Sequence, residues 1–525
     1  MGKRAIIIGA GMAGLSAAVH LQNNGFSTLL FEASSSAGGL VTAWKRGRYT
    51  FDGSVHWIPG CRTESPFYAI NDELFDMSKL SFVRHETVMD VECLGSSGPD
   101  GDRFFHLYCN IDLLEQYMLA ISPEDRKTVE EFTALARVLT RYNLPPTTKP
   151  FEVQGILDKV KLIGYLPLIS HIKKMSRYSI KGFAAQFSHP FLREAFERLS
   201  LGREYPIVVV IMQVAFGHLG TSAYPLGGSS VLTSQTLRRY RELGGEIRLG
   251  QRVEEILVEK GSAVGVRLSG GEAVRSEIVV SAADGRWTVM EALKGAFLSP
   301  ALEELYAGKR LDLFESLLYV SLGIARRFDG LPHQQVLALQ EPVELCDGSV
   351  HTHVMAHIVN YDPSFAPANC TVINVMLSTW KDAFWSDLRK RDRAAYAKAK
   401  ESVKDFVVDT LEAKLGDIRE RVEEWDVATP ATYIRYTGNW HGSIQGWLPP
   451  KDFLAARPLA KELPGLENFY MVGQWVEPGG GITPAVKTGR DVAWIACSRD
   501  RKKFVTGLNP STSGSSGDSV IGRKR

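Results

Sequence analysis

Cysteine is scarce in this sequence and never closely paired. Six occur in 525 residues, at Cys61, Cys93, Cys109, Cys346, Cys370 and Cys497, with no CxxC. That scatter excludes a disulfide framework, a zinc knuckle and a redox-active dithiol, and it fits a reducing, cytoplasmic setting. An excess of one charge is also missing. Lys and Arg total 61 against 59 Asp and Glu, a net charge of +2, so nucleic acid is not an expected partner. No apolar run approaches the ~20 residues of a membrane-spanning helix. The longest, Pro206 to Gly217 (PIVVVIMQVAFG), suits a buried core segment or the wall of an apolar pocket. GxSxG, P-loop and HExxH patterns are absent, which leaves hydrolase, NTPase and zinc-protease readings without support.

Glycine, in contrast, is abundant and placed with purpose. Arg4 to Ile8 reads as a short buried strand that runs into Gly9-Ala10-Gly11-Met12-Ala13-Gly14, followed by a helical stretch to Asn23. A second strand, Ser27 to Phe31, ends on Glu32. Strand, glycine turn, helix, strand and terminal acid together form a dinucleotide-binding fingerprint. Gly9 permits the tight turn, Gly11 lets the backbone approach a pyrophosphate, and Gly14 lets helix and strand pack closely. The helix N-terminus offers free N–H groups and a partial positive charge to phosphate. Glu32 is placed to accept from a ribose diol. The first strand begins almost at residue 1, so no leader segment is expected ahead of it.

At 525 residues the chain has room for two or more cores. A second glycine turn, Gly38-Gly39, follows the fingerprint, and Tyr49 to Asp52 reads as a strand leading into Gly53-Ser54-Val55-His56-Trp57. Residues 71–219 are mostly helical in pattern, with strand candidates at Val88 to Leu94 and Phe104 to Cys109. From Tyr224 the character returns to helix (Val231 to Leu243), strand (Glu246 to Leu249), a meander (Val253 to Leu268), and a buried strand ending Ala282-Ala283-Asp284. Strands are expected over 310–380 and one long charged helix from Trp385 to Lys414. A strand at Asn468 to Gly473, a Gly479-Gly480-Gly481 turn and a helix from Ile482 to Cys497 close the fold. The expected class is α/β. A discontinuous Rossmann-like nucleotide domain (1–70, 220–300 and 465–503) carries an inserted α+β substrate domain (71–219 and 301–464). The Ser/Gly-rich tail, 506–525, is expected to be disordered.

Four blocks resemble the phytoene desaturase-like flavoenzymes, a family that also holds carotenoid isomerases and retinol saturases. They are GAGMAG with Glu32 and Gly38-Gly39; YTFDGSVHW; YPLGGSSVLTSQTLRRYRELGGEIRLGQRVEEI through VVSAADG; and NFYMVGQWVEPGGGITPAVKTG. The resemblance implies a glutathione-reductase-like FAD fold and an apolar polyene substrate. FAD also agrees with the lack of a second GxGxxG, which a separate nicotinamide domain would need. The candidate cofactor contacts are Gly9, Gly11, Ala13, Gly14, Glu32, Ala33, Gly38, Gly39, Val253, Asp284, Gly473, Gly480, Gly481 and Ile482. Two departures stand out. Leu40 occupies a position where many relatives carry a phosphate-binding Arg, leaving Lys45 or Arg46 as substitutes. His56 sits where retinol saturase-like members have a histidine and most desaturases do not.

His56, Trp57 and Trp475 are the candidate catalytic residues. The loop after Asp52 is expected beside the flavin, and histidine can move a proton near neutral pH. His351, His353 and His357 recur at strand period two, but no carboxylate or cysteine completes a ligand set, so no metal is expected. Basic residues flank an apolar centre over 157–181, a candidate peripheral membrane contact. The reading is an FAD-dependent oxidoreductase that desaturates, saturates or isomerises a carotenoid- or retinoid-type polyene. Its rivals are a flavin amine oxidase and a non-catalytic FAD-binding interaction protein. Oligomeric state is not legible.

Overall fold

The computed structural model describes residues 2–98, 101–141, 149–200, 205–450 and 459–507. Two sheets organise a mixed α/β chain. The first has five parallel strands in the order Glu246–Arg248, Ser27–Phe31, Arg4–Ile8, Ile278–Ser281, Phe469–Met471. After Arg4 its central strand is wholly apolar, with Ala5, Ile6, Ile7 and Ile8 all buried, as expected of a parallel strand covered on both faces. The second sheet has seven strands, in the order Val422–Ala428, Ser316–Ile324, Thr371–Thr379, Val350–Val359, Gln334–Glu344, Thr87–Glu92, Phe104–Tyr108. It is antiparallel except where Gln334–Glu344 meets Thr87–Glu92.

Two helices cover one face of the parallel sheet, and small residues let them meet. The helix Met12–Asn23 crosses Ile482–Arg499 where Gly489 faces Ala13 and Ala17. A Cβ on Gly489 would overlap the Ala13 carbonyl oxygen and the Ala17 amide. Ser16 donates to the Val486 carbonyl (2.6 Å) at the same crossing. A buried polar clasp adds to it: Glu73 accepts from His20 (2.8 Å) and from Arg490 (2.6 Å). Although burial raises the Glu73 carboxyl, those partners prevail and hold it below the ordinary range.

The strands expected over 310–380 are present, as is the meander, which forms an antiparallel sheet of Val253–Glu259, Ser262–Leu268 and Ala273–Arg275. One element differs. The long charged helix is two, Asp382–Arg391 and Arg393–Leu415. Asp392 leaves the helical region (φ −146°, ψ 102°) and caps the second by accepting from the Ala395 amide (2.9 Å). Most of the 506–525 tail, from residue 508 on, lies outside the described residues.

Candidate functional site

The fingerprint glycines divide into two mechanical roles. Gly9 adopts φ +95°, a conformation that strains other residues, and its amide donates to the Phe31 carbonyl (2.7 Å). Gly14 is pressed so close to the Gly9 carbonyl oxygen that any Cβ would overlap it. Gly11 is the opposite: a Cβ there meets no protein atom within 4 Å, so the helix N-terminus opens onto vacant space. Glu32 closes the turn by accepting from the Ala10 amide (2.6 Å) and the Ser34 amide (2.7 Å). Each carboxylate oxygen keeps a lone pair for a further donor.

That space belongs to a cavity of about 950 Å³. Gly9, Gly11, Ala13, Glu32, Ala33, Gly38, Gly39, Val253, Asp284, Gly473, Gly480, Gly481 and Ile482 all line it, as do His56, Trp57 and Trp475. Gly14 does not; it sits behind the wall as the packing contact between helix and strand. Asp284 lines the cavity, but its oxygens accept from the Trp287 amide (2.8 Å) and the Trp440 amide (2.8 Å). Burial raises its carboxyl to about 6 against those hydrogen bonds. Leu40 is also in the wall, whereas Lys45 and Arg46 are not. Arg46 instead pairs with Asp426 on the outside (2.5 Å). Among the described residues, the cations lining the cavity are Arg84, Arg252 and Lys487.

The cavity extends from this cradle into an apolar chamber. The helix Ile207–His218, the longest apolar run, does both things expected of it. Ile207, Val208, Ile211, Val214 and Ala215 are core, while Val209, Val210, Met212 and Phe216 face the cavity. The seven-stranded sheet contributes Leu317, Tyr319, Met355 and Met376.

Asp52 sets the loop bearing His56. Its buried carboxylate accepts from the Ser54 (2.9 Å) and Val55 (3.1 Å) amides, and from the Ser229 amide and hydroxyl (both 2.6 Å). Burial raises the Asp52 carboxyl despite these bonds. Asp52 thereby joins the DGSVHW loop to the start of the helix Gly228–Glu242, so two blocks far apart in sequence form one structure. His56 Nδ1 lies 2.9 Å from His357 Nδ1, and His357 Nε2 lies 2.7 Å from the Tyr361 hydroxyl. Burial lowers His56 to about 4, so it is a neutral imidazole at pH 7. Trp475 is buried, its ring edge-on to Trp447 at 5.6 Å, while Trp57 is 38 % exposed.

The period-two histidines do not converge. His351 meets Ser349 (3.0 Å), His353 meets the Ser200 carbonyl (3.0 Å), and His357 meets His56. Among the described residues no cluster of three or more His, Cys, Asp or Glu is arranged to hold a metal ion. The cavity also contains residues that no sequence signal marked: His85, His333 and Gln334. His85 and the consecutive pair His333-Gln334 come from separated segments and share no motif, so only folding brings them together.

A nucleotide cradle opening into a largely apolar chamber is the site of a flavin-dependent oxidoreductase. Residues 12–497 match the family described as flavin containing amine oxidoreductase, and the chain belongs to it. It is an FAD-dependent enzyme. A 4,4'-diapolycopene oxygenase from Methylomonas sp is 26 % identical, over 93 % of this chain and 97 % of the relative. A lycopene-forming phytoene desaturase from a Paracoccus sp. is 24 % identical, over 94 % and 97 %. An oxidoreductase structure from Methanosarcina mazei superposes with a TM-score of 0.57 at 17 % identity, over 93 % of this chain and 99 % of that one, a likeness of fold. Among the described residues, no helix is long and apolar enough to cross a membrane.

Proposed function

We propose that the enzyme desaturates, saturates or isomerises an apolar isoprenoid polyene of carotenoid or retinoid type. The observation that carries this reading is the continuity of the cradle with the chamber walled by Val209, Val210, Met212, Phe216, Leu317 and Met376. An unsaturated hydrocarbon chain asks for such a wall: wide apolar contact, excluded water and few polar anchors. The names of the carotenoid-enzyme relatives agree with it.

In this reading the five-stranded parallel sheet is a Rossmann-like FAD domain formed by 1–70, 220–300 and 465–503. The seven-stranded sheet and its helices form the substrate domain, 71–219 and 301–464. Gly11 and Gly39 admit the pyrophosphate, Glu32 receives the ribose, and Gly473, Gly480, Gly481 and Ile482 border the ring system. When bound, FAD supplies two-electron chemistry. The chain's residues hold the polyene against the ring and exclude water. His56 moves a proton through its imidazole, kept in orientation by His357 and Tyr361. Trp57 and Trp475 clamp the substrate.

Peripheral membrane contact through 157–181 delivers the substrate from a cytoplasmic protein's position at the bilayer. Leu157, Ile163 and Leu166 are exposed there, and Ile156 precedes them. Lys173 and Lys174 lie in the last turn of the helix Leu166–Ser176. The side chains of Lys159, Val160, Lys161 and Leu162 lie outside the described residues.

The test is incubation of FAD-loaded protein with polyenes, amines and other long unsaturated compounds, followed by mass analysis. Loss of two mass units, gain of two, or isomerisation at constant mass supports the reading and separates its three forms. Turnover confined to amines makes the protein an amine oxidase, and a flavin inert to every compound makes it a binding protein.

A further inference from the structure

A hydrocarbon chamber has no evident need for a cluster of imidazoles, yet this one has four. His56, His85 and His333 line the cavity, and His357 stands behind them. They come from four separate segments. His85 and His333 stack face to face, with centroids 3.6 Å apart and planes 7° from parallel. The His333 ring meets His357 edge-on at 6.1 Å, and Tyr361 abuts His85 at 4.7 Å.

The rings differ in how their hydrogen-bonding capacity is used. His357 is satisfied on both nitrogens, by His56 and by Tyr361. Among the described residues, His56 bonds through Nδ1 alone. Among the described residues, no side-chain hydrogen bond engages His85 or His333, and His85 Nε2 is buried without a partner. Buried polar nitrogens in folded proteins nearly always have partners. Burial keeps the imidazoles of this cluster uncharged near neutral pH, His85 at about 4 and His333 well below its ordinary value. A neutral imidazole offers one donor and one acceptor, the complement of a hydroxyl group, and its N–H also suits a carbonyl oxygen. It offers a carboxylate no opposite charge.

We propose that His85 and His333, with His56 beside them, form a subsite for an uncharged oxygen function, a hydroxyl or carbonyl, carried by an otherwise apolar substrate. The subsite rests on the reading of the chamber as a polyene site and narrows it, from hydrocarbon and oxygen-bearing chains alike, to an oxygen-bearing isoprenoid chain. The hydrophobic wall supplies most of the affinity. The imidazoles set which end enters and how far, and thus which bond lies over the ring.

The test measures binding rather than turnover. FAD-loaded protein is titrated with four polyenes of one length, ending in methyl, alcohol, aldehyde or carboxylate. Quenching of the cavity tryptophans Trp57 and Trp475 and perturbation of the flavin spectrum are the readouts. The alcohol and aldehyde are expected to bind ~10-fold more tightly than the hydrocarbon, the value of one well-made buried hydrogen bond. His333→Phe and His85→Phe keep a planar ring; each is expected to cut that preference to about twofold or less while leaving hydrocarbon binding in place. Unchanged hydrocarbon affinity also reports that the variant is folded. His333→Asn, which retains a donor and an acceptor, is expected to restore part of the preference. Equal binding of hydrocarbon and alcohol, a preference that survives both Phe variants, or tightest binding of the carboxylate overturns the subsite while leaving the polyene reading standing. Binding of no polyene at all overturns both.

Discussion

Two residues test the site most directly. Gly11 has open space where a side chain would project, and that space is the cavity in front of the helix N-terminus. A valine there fits the protein alone and competes only with what the cavity receives. Gly11→Val is therefore expected to leave folding intact, by circular dichroism, and to lose bound FAD on gel filtration, leaving a colourless protein. Yellow protein with native flavin content would refute the fingerprint assignment. His56 offers the complementary experiment. It faces the chamber from a loop fixed by Asp52, not by His56 itself. His56→Ala is expected to reduce kcat by ~100-fold, within the usual range for a lost acid–base group, with FAD affinity changed less than about twofold. Full activity would make His56 a structural member of its loop.

Elements were legible in proportion to how local their determinants are. The first strand, the glycine turn and the helix after it follow from consecutive residues, and the parallel sheet contains the strands that those runs announced. The break in the charged helix was visible only in Asp392, one acid between Arg391 and Arg393. Periodicity on either side continues, so a pattern read over a long window passes through it. Asp392→Ala is expected to cost about 1 kcal/mol in a denaturation titration, the ordinary value of an N-cap. The crossing of Met12–Asn23 with Ile482–Arg499 lies beyond any local signal, because Gly489 meets Ala13 and Ala17 across more than 470 residues. Gly489→Val forces those helices apart. It is expected to lower stability by about 2 kcal/mol or more and to weaken FAD retention, because Ala13 belongs to both the crossing and the cradle. A variant with native melting temperature and flavin content would show that the crossing yields without disturbing the site.

At the scale of the whole molecule, the nucleotide half of the cavity was legible and the chamber was not. Backbone turns bind phosphates through glycine and helix ends, and such features leave a spaced motif. The chamber is an assembly of side chains from the Ile207–His218 helix, the seven-stranded sheet and the loops, each an ordinary apolar or histidine residue in its own segment. The imidazole cluster carries a consequence for the entire fold. His56 and His85 titrate near 4 in the native protein, and His333 and His357 lie well below the ordinary value of 6.5. In the unfolded chain each returns to about 6.5. Between about pH 6.5 and 4 the unfolded state thus binds more protons, so stability falls as the solution is acidified through that window. Asp284 works in the opposite direction, because its native carboxyl titrates near 6, above its unfolded value, and acid favours its folded form. The net slope therefore mixes both signs, and a difference between variants isolates the histidines. His85→Phe removes one of them and retains a ring against His333 and Tyr361. Urea titrations at pH 6.5 and pH 5 are expected to show the variant losing about 1–2 kcal/mol less than the native protein over that interval. Equal losses in the two proteins would mean that His85 protonates as freely in the folded chain as in the unfolded one, and that the cavity wall around it is wet.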